Sequence, residues 1–424
     1  MPTRENGLQA LFSPFVLLCI LGGLAIFSTT MAKNPALPLF IRSLGVSQST
    51  LGFIAAASTV VGIVVSLPAG MLSDLYGRKR VLLSSGFVFA SAPFLYLLVH
   101  SPWQLVLVRI YHGLATAILG PVALAIVADT FDTRRGENMA WYSSATMVGR
   151  FLAPSVGGVL IVGQDFRWVY LGCGVAGVLT LLLALALPLA PSKTLPLSRP
   201  DKASARAPAP QRGHAEPAAK RGLGVPTLQQ SWKHLHQEAT YVVHSRGIFT
   251  TSLAQAAQYF AFGFLEVYLP LRLADAGWPA WQIGPLFTVQ VLATALTKPV
   301  MGRLTDRFGR VVVIVGGLVV AGAALILLSL VQSYVLLAIC SGLFGLGLAA
   351  VTAAAAALVS DLAHENAYGA AMGVLSSIMD VGQSSGPIVG GLLVGAFGYS
   401  VAFAGVASLL VLVAAAFPLA VRRR

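Results

Sequence analysis

Apolar residues run through this chain in stretches of about twenty, parted by short polar breaks, without the alternation of a strand or the one-sided stripe of a surface helix. The runs cover residues 13–34, 48–71, 81–99, 104–128, 138–162 and 167–190, then 248–270, 282–302, 311–330, 334–358, 368–395 and 400–420. Each is long enough to cross a hydrocarbon core of about 30 Å as a helix. Six runs precede and six follow one long polar region. The pattern therefore predicts an all-α membrane protein of twelve transmembrane helices: an N-terminal six-helix bundle (1–190), a linker (191–247) and a C-terminal six-helix bundle (248–424). The linker opens rich in Pro, Ala and cations, with too few large apolar residues for a core. From Thr227 onward Leu228, Trp232, Leu235 and Val242 fall at helical spacing opposite Lys233, His234 and Glu238. That predicts an amphipathic helix on the inner membrane surface, a plain solvated helix being the alternative.

The two halves are copies of one pattern. Gly70, Leu72, Asp74, Gly77 and Arg78 in GMLSDLYGRKR return 232 residues later as Gly302, Leu304, Asp306, Gly309 and Arg310 in GRLTDRFGRVV. At the same offset Asn34 aligns with Glu266, Gly113 with Gly345 and Asp129 with Asp361. Duplicated helical halves are how secondary transporters build a site at their pseudo-symmetry axis.

Composition and charge sharpen this picture. The chain is 56% hydrophobic and 10% charged, where soluble domains carry about 25% charge. With the N-terminus placed inside, 21 Lys and Arg fall in cytoplasmic segments and only Arg42, Arg167 and Arg272 fall outside, which satisfies the positive-inside rule. Both termini are then cytoplasmic, and Trp103, Trp168, Trp278 and Trp281 mark the outer boundary. The net charge of +13 reflects this topology and contact with anionic lipid; nucleic acid is not an expected partner. Cys19, Cys173 and Cys340 all lie within spans, so disulfides and Cys-rich metal sites are not expected. The chain has no GxxxxGK[ST] phosphate loop, which points to an ion gradient or facilitation, with no cofactor.

The repeated loop resembles the signature of the major facilitator superfamily, found there between helices 2 and 3 and, in a second copy, between helices 8 and 9. The resemblance covers nearly the whole chain. It implies that Asp74, Arg78 and Asp129, with Asp306, Arg310 and Asp361 in the second half, hold a cytoplasmic gate, fold stability alone being the alternative. Asp129 and Asp361 are the expected partners of the two arginines. RIYHG, from Arg109 to Gly113, is similar to the family's helix 4 motif. GRFLAPSVGG, from Gly149 to Gly158, resembles the helix 5 motif GxxxGPxxGG of proton-coupled antiporters, with Ala153 in place of the central Gly. GQSSGPIVGG, Gly382 to Gly391, fits that motif completely on helix 11. Such Gly and Pro residues permit a bent, closely packed helix.

Only two of the 15 acidic residues, Glu266 and Asp380, fall within spans away from loops and helix ends, and an intramembrane charge costs on the order of 2.5–3.5 kcal/mol. In the family's arrangement helices 1, 4, 7 and 10 line the cavity, which would gather Lys33, Arg109, His112 and Glu266. Glu266 is read as a proton or substrate site, or else a structural ion pair; Asp380 as functional or structural. Arg150 either binds an anion or locks helix packing. Lys298 is expected to snorkel to the inner interface. Gln255, Gln258, Tyr259, Phe260, Phe262 and Gln290 offer amide and aromatic contacts, or simply pack. The excess of cations leans towards an anionic, zwitterionic or amphipathic substrate.

The resulting expectation is a transporter and not an enzyme: a monomeric, proton-coupled exporter of a small organic molecule in the plasma membrane, the inner membrane of a Gram-negative cell. An uptake or exchange carrier for an organic anion is the alternative. A transporter-like sensor or assembly factor is a third reading, against which the intact gate signatures argue.

Overall fold

The computed structural model describes residues 13–130, 135–188, 245–363 and 368–422. The amphipathic segment expected at 228–243 and nearly all of the linker lie outside these residues. The helices are α1 (Pro14–Lys33), α2 (Ala36–Ser43), α3 (Gln48–Tyr76), α4 (Arg78–Tyr96), α5 (Pro102–Thr130), α6 (Arg135–Leu160), α7 (Arg167–Ala186), α8 (Arg246–Asp275), α9 (Ala280–Phe308), α10 (Arg310–Leu330), α11 (Tyr334–Leu362) and α12 (Tyr368–Arg422). α2 continues the first span beyond Asn34 and Pro35, and α12 contains two spans that turn at Gly398, φ 78°. The molecule is thus a twelve-helix membrane protein in two pseudo-symmetric bundles, as the apolar runs predict.

Eight helical runs among the described residues are apolar and long enough to be recognised as spans by hydropathy alone, the last of them covering both limbs of α12. α4, α6 and α8 are not among them, for chemical reasons. α4 opens with Arg78, Lys79 and Arg80, α6 carries Arg135, Glu137, Asn138 and Arg150, and α8 carries Gln255, Gln258, Glu266, Arg272 and Asp275. Around the perimeter large apolar side chains such as Leu107, Leu182, Leu330 and Leu412 are exposed, as lipid contact demands.

The repeat is a repeat of contacts. Gly77 (φ 92°) and Gly309 (φ 91°) turn the two signature loops, and Gly45 (φ 71°) and Gly277 (φ 86°) turn the loops at the other end; side chains rarely adopt this backbone. A methyl group added at Gly113 would meet the Ser58 carbonyl at 2.8 Å, and one added at Gly345 would meet the Gln290 carbonyl at 2.3 Å. Ser58 and Gln290 are themselves 232 residues apart. Small residues let the same helix pair, α3 on α5 and α9 on α11, approach to backbone contact in both bundles.

Among the described residues the bundles pack mainly along two helix pairs, α3 with α12 and α6 with α9, with a smaller contact of α2 on α8, near the end that carries Gly45 and Gly277, here called the far end. A Cβ at Gly52 would lie 2.1 Å from the Pro387 carbonyl and one at Gly391 2.4 Å from the Gln48 carbonyl. The related pair repeats the arrangement: Gly284 against the Pro154 carbonyl at 2.2 Å, and Gly158 against that of Ala280 at 2.5 Å. Towards the opposite, basic end, which carries Arg78 and Arg310, the helices part. On α3, Gly52, Ala55 and Ala56 are buried while Thr59, Ile63, Ser66 and Gly70 are partly exposed; on α9 exposure rises likewise from Gly284 to Lys298.

Candidate functional site

Between the bundles lies a cavity of about 340 Å³, within the size range of small-molecule sites. It is lined by Lys33 and Asn34 of the first span, Ser58 of α3, Arg109 of α5, Arg150 of α6, Glu266 of α8, Gln290 of α9 and Asp380 and Gln383 of α12. Its roof at the far end is the carboxylate of Glu266, a residue only 6% exposed. That carboxylate accepts hydrogen bonds from Lys33 Nζ at 2.7 Å and Asn34 Nδ2 at 2.8 Å, and from Gln383 Nε2 at 3.3 Å. Lys33 and Asn34 belong to the opposite bundle, so one acidic side chain ties the halves together. Ionised acceptors make the stronger hydrogen bonds, and removal from water is offset here by a full set of donors.

Arg109 also reaches the cavity. Its Nη2 donates to the Ala55 carbonyl at 2.9 Å and to Ser58 Oγ; both acceptors are uncharged and both belong to its own bundle. His112 does not reach it. Its Nδ1 lies 3.3 Å from the Tyr96 hydroxyl and its ring stands edge-on to Phe89, inside the N-terminal bundle. Arg150 and Asp380 line the cavity from opposite bundles. Lys298 is exposed on the basic half of α9. Phe262 and Gln290 line the cavity; Gln255, Gln258, Tyr259 and Phe260 do not.

The residues expected to form a gate make two matching clusters at the basic end. Arg78 Nε donates to Asp129 Oδ2 at 3.0 Å and its Nη1 to Ser73 Oγ at 2.5 Å. Arg310 Nε donates to Asp361 Oδ2 at 2.9 Å and its Nη1 to Asp306 Oδ1 at 2.5 Å. Each arginine therefore staples a signature loop to the end of the fourth helix of its own bundle. The pairing expected of Asp129 and Asp361 is present, as a contact within each bundle. The side chain of Asp74 lies outside the described residues.

Several residues at the closed end have no counterpart in the sequence reading. Arg42 pairs with Asp275 across the bundles, and the Tyr399 hydroxyl donates to the same carboxylate at 3.0 Å. Tyr268 donates to the Pro387 carbonyl at 2.7 Å. Thr288 of α9 donates to the Phe151 carbonyl at 2.7 Å, with Ser155 Oγ equally near. A signal was available for the ion pairs: Lys33 and Glu266, like Arg42 and Asp275, lie 233 residues apart. At that register two positions are repeat images to within one residue, and images approach each other only near the pseudo-twofold axis.

The fold and the sequence both have known counterparts. A model of the Major Facilitator Superfamily matches residues 18–284 and 251–424. The chain belongs to this superfamily. Among its relatives are an uncharacterized MFS-type transporter of Methanocaldococcus jannaschii, 21% identical over 85% of this chain and 86% of that one, and the multidrug resistance protein MdtG of Enterobacter lignolyticus, 27% identical over 91% and 86%. Among solved structures, a bacterial homolog of the human lysosomal transporter Spinster, inward-facing and unoccupied, superimposes with a TM-score of 0.76 at 17% identity, over 96% of each chain. As a member of the superfamily the chain is a multi-pass membrane transporter, and its family implies a small-molecule substrate.

Proposed function

We propose that this transporter exports small organic molecules in exchange for protons, with Glu266 as the coupling carboxylate. The observation that carries the reading is the contact of Glu266 with Lys33 and Asn34 across the bundles. A proton and the Lys33 ammonium are alternative partners for one carboxylate. The charge distribution supports placing the basic end in the cytoplasm, so this conformer opens inward. Here Lys33 occupies Glu266, and a proton brought from outside is released to the cytoplasm while substrate enters the cavity. When the far end opens, Lys33 and Asn34 withdraw with their bundle, and an external proton takes their place as substrate leaves. The kinship with MdtG, named for multidrug resistance, supports export as the direction.

Exchange of Glu266 for Gln preserves shape and removes titration. In proteoliposomes Glu266→Gln is expected to abolish transport driven by a pH gradient and to retain counterflow exchange. Concentrative transport with the wild-type pH dependence would overturn the role of Glu266.

A second reading, a carrier for an organic anion, is favoured by Lys33, Arg109 and Arg150 on the cavity wall. It predicts flux that ignores a pH gradient and collapses in Arg150→Gln.

A further inference from the structure

Five charged residues line the cavity, and three of them are engaged. Lys33 and Glu266 hold each other, and Arg109 is held by the Ala55 carbonyl and Ser58. The other two are not. Among the described residues neither the Arg150 guanidinium nor the Asp380 carboxylate makes a hydrogen bond or an ion pair; Ser384 bonds only to the backbone carbonyl of Asp380. Both residues face the same open space, Arg150 from the N-terminal bundle and Asp380 from the C-terminal one. The other charged residues on the wall of this cavity are Lys33, Arg109 and Glu266.

Arg150 is exposed and Asp380 partly exposed on the cavity wall, and charges at membrane depth that face an open cavity mark a path for substrate or ions. One cation and one anion, left open on opposite walls of a cavity of about 340 Å³, are matched by a molecule that carries both signs. We infer that the substrate is a zwitterion that spans the two bundles, its carboxylate or other anionic group on Arg150 and its ammonium group on Asp380. This deepens the proposed function and rests on the cavity being the transport site. An anion alone would leave Asp380 unmatched, and a cation alone would leave Arg150 so; each mismatch is a penalty against the wrong substrate. By joining both walls the zwitterion also supplies attraction between the bundles where this conformer lacks it.

The test uses three probes with one ring system: norfloxacin, zwitterionic near neutral pH; its methyl ester, a cation; and its N-acetyl derivative, an anion. Binding to the purified full-length transporter is read by probe fluorescence, and flux of each probe in proteoliposomes. Norfloxacin is expected to bind at least tenfold more tightly than either derivative. Arg150→Gln should erase its advantage over the ester while keeping that over the N-acetyl form, and Asp380→Asn should do the reverse. Arg150→Lys and Asp380→Glu, which keep the charges, should retain both advantages. Tightest binding of the ester, or indifference to both charges, overturns the inference. Flux of all three probes without charge preference removes only the zwitterion; no binding and no flux of any probe removes the transport site and the inference together.

Discussion

The same two helix pairs meet at one end of the molecule and stand apart at the other, and the chemistry of the two ends differs. At the far end the contacts are main chain against main chain, through Gly52, Gly158, Gly284 and Gly391. At the basic end Gly62 and Gly302, on the same helices α3 and α9, have nothing within 4 Å of an added methyl. Close packing of this kind has almost no intermediate settings, because a gap of even an ångström forfeits much of the attraction. In this conformer the far end is fitted backbone against backbone. Side-chain links between the bundles add to it: half-buried Lys33 and buried Asn34 on Glu266, Thr288 on the Phe151 carbonyl, and half-buried Arg42 on the exposed Asp275.

The strongest way to break this asymmetry is to fill a glycine. Gly52→Val places atoms where the Pro387 carbonyl already lies, at a cost of about 3 kcal/mol, roughly a hundredfold in the population closed at the far end. Transport should fall accordingly, with single cysteines near Gln48 becoming accessible from outside, whereas Gly62→Ala should leave that accessibility unchanged. Next in size, Lys33→Gln leaves Glu266 without its cation, costing about 2 kcal/mol and shifting the same accessibility roughly thirtyfold in the same sense. At the opposite end Arg78→Gln frees the signature loop from Asp129. A partly exposed pair of this type is worth about 1 kcal/mol; transport should drop about fivefold, with altered cysteine accessibility from the cytoplasmic side and none from outside. Unchanged flux and accessibility in a normally expressed variant would sink its gating role. Smallest is Arg42→Gln, where exposure and salt screening hold the loss to about 0.5 kcal/mol. A twofold effect that vanishes at high salt is expected in flux assays.

The helices were legible because lipid imposes one rule on every span, and the duplicated loops because Gly77 and Gly309 hold turns that side chains resist. Glu266 and Asp380 were legible as cavity residues for a related reason: a charge at that depth has few places to go. His112 illustrates the limit. It shares a helix with Arg109, but three residues further on its short ring is turned towards Tyr96, while the long Arg109 side chain reaches Ser58 and the cavity. The glycine motif predicts a bent, closely packed helix without saying against what; in the fold Gly158 and Gly391 are where the other bundle's backbone docks, and their partners Gly284 and Gln48 lie outside the motif. Which faces meet is decided by three-dimensional register, and a single helix does not encode it alone.

Asn34 and Glu266, positions exactly one repeat apart, touch each other. Were the halves identical chains related by a true twofold, any side chain at this point would face its own duplicate: two carboxylates would repel, and two lysines likewise. A carboxylate facing an amide donor here requires that the symmetry be broken, which a single covalent chain permits and a homodimer of one half does not. Fusion of the halves thereby allows the axis to carry one ionisable carboxylate instead of two.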